Sequence, residues 1–221
     1  MIPSRRDFLE HVASIAALSA LPLSLDALPP SAPTLAAEDW DLSWTKRITG
    51  KYKAVFDTPE IDSAYGVFRV SFWANQYMDT LKATPKDLSP VLVLRHNAIF
   101  LATQQSFWDK YAIGKEHIAT HPFTREPTDR NPALLSSSRN EVAAMFDSMA
   151  LDQYIKRGGI ALACNLAFNQ VIGIIEKKEN LSPEAARTQA KTYLLPGIIL
   201  QPSGVFASLY AQEFGCKYIQ V

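Results

Sequence analysis

Cysteine is scarce, two in 221 residues. That excludes a disulfide-built scaffold and a cysteine-rich zinc module. No surplus of one charge exists either, since 22 Lys and Arg balance 22 Asp and Glu. A general nucleic-acid binder clusters a basic excess on one face, so that class is excluded. No uninterrupted apolar run reaches the roughly 18 residues of a membrane span. The Gly-x-Ser-x-Gly elbow, the phosphate-cradling glycine loop and the dinucleotide fingerprint are all missing. What remains is an ordinary globular composition, 48% hydrophobic and 20% charged, fit for one domain with extensions.

The first segment reads as an address. Ser4-Arg5-Arg6-Asp7-Phe8-Leu9 precedes a weakly apolar stretch from Val12 to Leu25, then a Pro-rich patch ending in Ala36-Ala37. Paired arginines, a Phe-Leu pair and small residues near a cleavage point resemble a twin-arginine export signal over residues 1–37. Glu10 departs from the usual pattern, which favours Lys there. Export by that route implies a periplasmic, oxidising compartment, where a free thiol needs a reason. Residues 38–49 read as an arm that Trp40 and Trp44 pin to the body.

Residues 50–221 alternate strand and helix patterns. Lys51–Phe56, Val91–Leu94, Ile160–Cys164, Gly197–Gln201 and Lys217–Val221 are short apolar or alternating runs. Helical spacing covers Glu60–Ala83 on two faces, and helices are also expected at Ala98–Tyr111, Asn165–Lys178, Ser182–Tyr193 and from Pro202 to Phe214. The continuous aliphatic run Val91–Leu94 suits a central parallel strand, and Lys217–Val221 an edge strand. This rhythm predicts an α/β fold, a mainly parallel sheet covered by helices on both faces. Residues 113–140 break it with Pro122, Pro127, Pro132 and Ser136-Ser137-Ser138, as a lid, an oligomer contact or a partly disordered insertion.

In open parallel sheets, ligands sit beyond the carboxyl ends of the strands. That rule selects Asp57-Thr58, Arg95-His96-Asn97, Cys164-Asn165 and Pro202-Ser203. Cys164 ends a strand and opens a helix, where free N–H groups and the helix dipole favour a thiolate. The plain alternative is a small buried residue. His96 is a candidate general base or charged neighbour for the thiol, and Arg95 a candidate anion holder. Ser203 is most simply a helix cap. Cys216 falls at the opposite end of its strand, so no Cys164–Cys216 bridge is expected. His117 and His121 have helical metal-pair spacing, but Pro122 argues for a loop and no metal is assigned.

Three stretches resemble the DsrE/DsrF-like sulfur-relay family: Leu195-Pro196-Gly197-Ile198-Ile199-Leu200-Gln201-Pro202-Ser203-Gly204-Val205 through Lys217-Tyr218-Ile219, Gly158 to Asn165, and Val91–Leu94 ending at His96. The resemblance implies a three-layer α/β/α unit with a five-stranded sheet, commonly oligomeric, and a cysteine persulfide at the position of Cys164. It also implies a role for His96, which matches the histidine that family members often carry after the second strand. From their place at the strand ends, Arg95, Asn97, Asn165 and Ser203 are candidate substrate- or anion-binding residues. Asn97 stands where the family often has Gly.

The expected function is an exported sulfur carrier, holding sulfane sulfur on one cysteine and relaying it between a donor and an acceptor protein, without cofactor. The competing expectation is a non-catalytic oligomeric binding or assembly module with a structural cysteine. A third, a flavin in the strand-end crevice, rests only on the folded-cargo habit of twin-arginine export.

Overall fold

The computed structural model describes residues 39–221. The leader reading of residues 1–37 lies outside the described residues.

Five parallel strands form one sheet in the order β4-β3-β2-β1-β5. They are β1 (Tyr52–Thr58), β2 (Leu88–Leu94), β3 (Ile160–Cys164), β4 (Ile198–Gln201) and β5 (Lys217–Gln220). The aliphatic run of β2 is the middle strand, and Val91 to Leu94 are completely buried. A strand covered on both faces must be apolar on both, which is why this run does not alternate. β5 alternates and lies at an edge, as its pattern predicts.

Successive side chains feed two cores. Phe56, Leu92, Leu94, Ala161 and Ala163 point into the larger one. There they meet α1 (Tyr65–Leu81), α2 (Gln105–Tyr111), α3 (Ile113–Glu116), α4 (Leu151–Lys156), α5 (Asn165–Glu179) and α6 (Pro183–Thr192). Val55, Val91, Val93, Ile160 and Leu162 point the other way, onto Ala207 and Ala211 of α7 (Gly204–Glu213) and onto Trp44. Helix α7 touches all five strands, so one ten-residue helix and the N-terminal arm cover that whole face. Trp44 is fully buried and meets the Tyr210 ring edge-on at 6.0 Å, pinning the arm. Trp40 is only half-buried.

Two helices are shorter than their spacing predicts. The expected helix from Glu60 begins at Tyr65, because Asp62, Ser63 and Ala64 take positive φ values of 28°, 54° and 60°. Ser63 is held there by a 2.6 Å hydrogen bond between its Oγ and Thr120 Oγ1. Only the first half of α1 is buried, and Phe72 and Leu81 face solvent. The expected helix Ala98–Tyr111 is a 3-10 segment, His96–Ala102, followed by α2. The break comes where Thr103 forms an antiparallel bridge with Leu194 and Gln104 N–H donates to Tyr193 O.

The 113–140 insertion folds back onto the larger core. Asn131 is completely buried, and its Nδ2 donates to Leu101 O at 3.1 Å and Thr103 O at 2.8 Å. Its own Oδ1 accepts from Ala133 N–H at 3.0 Å. One fully satisfied amide thus anchors the segment, since a buried Asn is tolerable only with its hydrogen bonds made.

Candidate functional site

The strand ends do gather the residues singled out by sequence. Leu94 pairs with Ala163, so Arg95 and Cys164 are the next residues of β2 and β3 at the carboxyl rim. Cys164 is also the register partner of Gln201 at the end of β4.

Cys164 is the N-cap of α5, and its Sγ accepts the Ala167 N–H at 3.3 Å. A donor from the first turn of a fifteen-residue helix is the environment that stabilises sulfur carrying negative charge. The sulfur does not lie in an open groove: Cys164 is only 6% exposed. Next to it, Asn165 is buried and its Oδ1 accepts from Arg187 at 2.9 Å, tying α5 to α6.

Arg95 is a fork. Its Nε donates to Asp57 Oδ1 at 2.6 Å and its Nη2 to Asp57 Oδ2 at 2.9 Å. The Tyr218 hydroxyl donates to the same Asp57 Oδ2 at 2.6 Å. Hydrogen bonding to Asp57 pushes the guanidinium and the phenol up from their ordinary values. The aliphatic part of Arg95 runs past Gly204 at the start of α7, where a Cβ would come within 2.5 Å of Arg95 Cβ. The arginine read from sequence as a free anion holder is therefore largely committed to a carboxylate, with part of its donor set left.

His96 departs from its expected place. Its φ is +49°, and the ring turns to Glu60, with Nδ1 2.9 Å from Glu60 Oε1. The imidazole is 61% exposed and makes no hydrogen bond to Cys164. Asn97 Nδ2 donates to the other oxygen of Glu60 at 2.8 Å. His96 and Asn97 thus share one surface carboxylate, and the cation standing beside Cys164 in the strand register is Arg95. Ser203 caps α7, its Oγ accepting the Phe206 N–H at 3.0 Å.

Sequence reasoning missed Asp57, Tyr218 and Glu60 as partners. A signal for Asp57 existed: an acid inside a buried strand requires a cation or several donors. Tyr218 and Glu60 had none, because their partners are far away in the chain.

Cys216 lies in the smaller core, and burial pushes its thiol up to about 11. Both cysteines are free thiols, as the strand geometry requires. His117 and His121 are separated: His117 packs on the Phe100 ring with centroids 4.3 Å apart, and His121 contacts Glu141 O through Nε2 at 2.9 Å. Among the described residues, no three His, Cys, Asp or Glu side chains converge on a metal-sized site. A cavity of about 480 Å³ beside the insertion and one of about 390 Å³ between α1 and α4 are both away from Cys164. Among the described residues, no helix is long and apolar enough to cross a membrane.

No protein-family model matches the chain, and no curated protein matches it.

Proposed function

We propose that the protein is a single-cysteine sulfur carrier acting through Cys164. The observation that supports this reading is the Ala167 N–H on Cys164 Sγ at the carboxyl rim of a parallel sheet, where Arg95 and Cys164 are the next residues after the Leu94–Ala163 pair. In the reaction, the Cys164 thiolate attacks a sulfane sulfur of an anionic polysulfide. A Cys–S bond to that sulfur forms, one S–S bond of the polysulfide breaks, and the shorter polysulfide leaves with the electron pair. An acceptor thiolate then attacks the outer sulfur and releases Cys164 as thiolate, so no outside oxidant is needed. The helix-end N–H bears on negative sulfur before and after each step. Shielding of the sulfur suits a persulfide, which water and oxidants would otherwise consume. The leader at residues 1–37 supports a periplasmic setting, and the donor and acceptor would be partner proteins there.

The test is to incubate the purified protein with polysulfide and weigh it intact. The wild type gains one or more increments of about 32 Da and Cys164→Ser gains none. Equal gain by Cys164→Ser contradicts the proposal.

One observation favours a second reading, an assembly module with a structural cysteine. Cys164 is 94% covered, and the outer face of α7 leaves Val205 and Leu209 about 60% exposed beside Phe206 and Phe214. An unreactive Cys164 in the native protein, together with self-association lost in Leu209→Asp, selects that reading.

A further inference from the structure

The cavity of about 390 Å³ between α1 and α4 lies at the amino ends of β2 and β3, the opposite edge of the sheet from Cys164. Its size suits a small organic ligand. Val70, Ala74 and Met78 of α1 give it an apolar wall, and Leu88 and Pro90 of β2 extend that wall. Tyr154 of α4 lines it as well, and its hydroxyl donates to Pro90 O at 2.9 Å and Ile160 O at 3.2 Å. The ring lies against Gly159, where a Cβ would come within 2.5 Å of it. This part of the lining is therefore fixed before any ligand arrives.

Arg157, in the turn between α4 and β3, is the one charged residue of this lining among the described residues. Its guanidinium makes no hydrogen bond and no ion pair among the described residues. A second guanidinium stands at the same turn, where Arg47 Nη2 donates to Gly158 O at 2.7 Å and Gly159 O at 3.0 Å. The field at this turn is positive, and no carboxylate lines the cavity among the described residues. Ser71 of α1 also lines it. That residue is 8% exposed, and its hydroxyl makes no hydrogen bond among the described residues. A covered hydroxyl without a partner costs free energy that a ligand acceptor would recover.

Apolar walls and one unpaired cation in a single cavity call for a ligand with an apolar body and one negative head. We propose that this cavity binds a small aliphatic monocarboxylate of about eight carbons, its chain among Val70, Ala74, Met78 and Leu88 and its carboxylate on Arg157, with the Ser71 hydroxyl as a further donor. An amine meets the like charge of Arg157, and a small polar anion leaves the apolar walls wet. The charge-assisted bond to Arg157 contributes enough that losing it weakens binding about tenfold. Each methylene buried on the walls strengthens binding by up to about fourfold. The site lies at the other edge of the sheet from Cys164, so its occupancy is independent of the thiol chemistry.

Isothermal titration calorimetry on the purified protein at neutral pH, with octanoate, butyrate, octanamide and octylamine as probes, tests this. Octanoate binds. Butyrate, with less chain to bury, and octanamide, without the charge, each bind at least about tenfold more weakly, and octylamine gives no heat. Arg157→Gln weakens octanoate binding about tenfold, Ala74→Phe fills the cavity and abolishes it, and Cys164→Ser binds like the wild type. Arg157 is exposed and its guanidinium holds no partner among the described residues, so Arg157→Gln decides the matter if Ala74→Phe unfolds the protein. An arginine that serves only the end of α4 leaves octanoate binding intact when replaced. No heat from octanoate, equal binding of octanamide, or full binding by Arg157→Gln overturns the proposal.

Discussion

Arg95 and Asp57 are joined end to end across the rim by two parallel hydrogen bonds, although 38 residues separate them in the chain. The Asp57 side chain is 5% exposed and that of Arg95 29%. Removing one member of a buried pair strands the other charge, which is worse than never having either. Arg95 still reaches water, so the cost is reduced: Asp57→Asn is expected to lower unfolding stability by about 2–3 kcal/mol. Urea denaturation at neutral pH measures it. A loss under about 0.5 kcal/mol shows that the fork contributes nothing.

Gly204 is required by the same arginine. A Cβ there would lie 2.5 Å from Arg95 Cβ and 2.8 Å from Cδ. Arg95 can swing its Cδ away but not its Cβ, which is fixed to the backbone. Gly204→Ala is therefore expected to cost about 1–3 kcal/mol and to displace the start of α7. A variant as stable as the wild type in the same denaturation experiment contradicts the close approach.

The strands and their order of burial were the legible part of the fold. Val91–Leu94 and Ile160–Cys164 are apolar on both faces, and only a strand covered on both sides has that pattern. The start of α1 was not legible, because Asp62–Ala64 are held in left-handed backbone by a contact with Thr120, 57 residues away for Ser63. The candidate site was half legible. Spacing alone placed Cys164 at a strand end and a helix start. It could not place His96, whose side chain is drawn aside by Glu60. The fate of Arg95 hung on Asp57 in a neighbouring strand, and strand neighbours are set by topology.

Burial against Phe100 holds the His117 imidazole below its ordinary value of 6.5, and the charges of Glu116 and Glu60 only partly oppose that. The folded state therefore prefers neutral His117, and the unfolded chain takes up the proton first. Its contribution to stability is complete above pH 6.5 and declines as pH falls below that value, through the folded-state value. Urea midpoints measured from pH about 7.5 down to about 5 should fall, and His117→Gln should flatten that slope. An unchanged slope in the variant assigns the acid sensitivity elsewhere.

Glu179 ties three elements together. Lys110 Nζ lies 2.5 Å from its Oε1, the Tyr111 hydroxyl donates to Oε1, and Gln189 Nε2 donates to Oε2 at 3.0 Å. The hydrogen bond from Lys110, then those from Tyr111 and Gln189, hold the carboxyl down to about 2 from 4.5. This contribution is present above pH 4.5 and lost as pH falls toward 2. Glu179→Gln should lower stability at neutral pH and show a shallower acid decline over that window. Identical acid profiles contradict the assignment.

A sulfur carrier is defined by where added sulfur resides. Peptide mapping after polysulfide treatment and alkylation answers that directly. The sulfur-carrier reading predicts an added mass of about 32 Da on the peptide holding Cys164 and an unmodified Cys216, whose thiol is pushed up to about 11 by burial. An unmodified Cys164, or the added sulfur on Cys216, contradicts it.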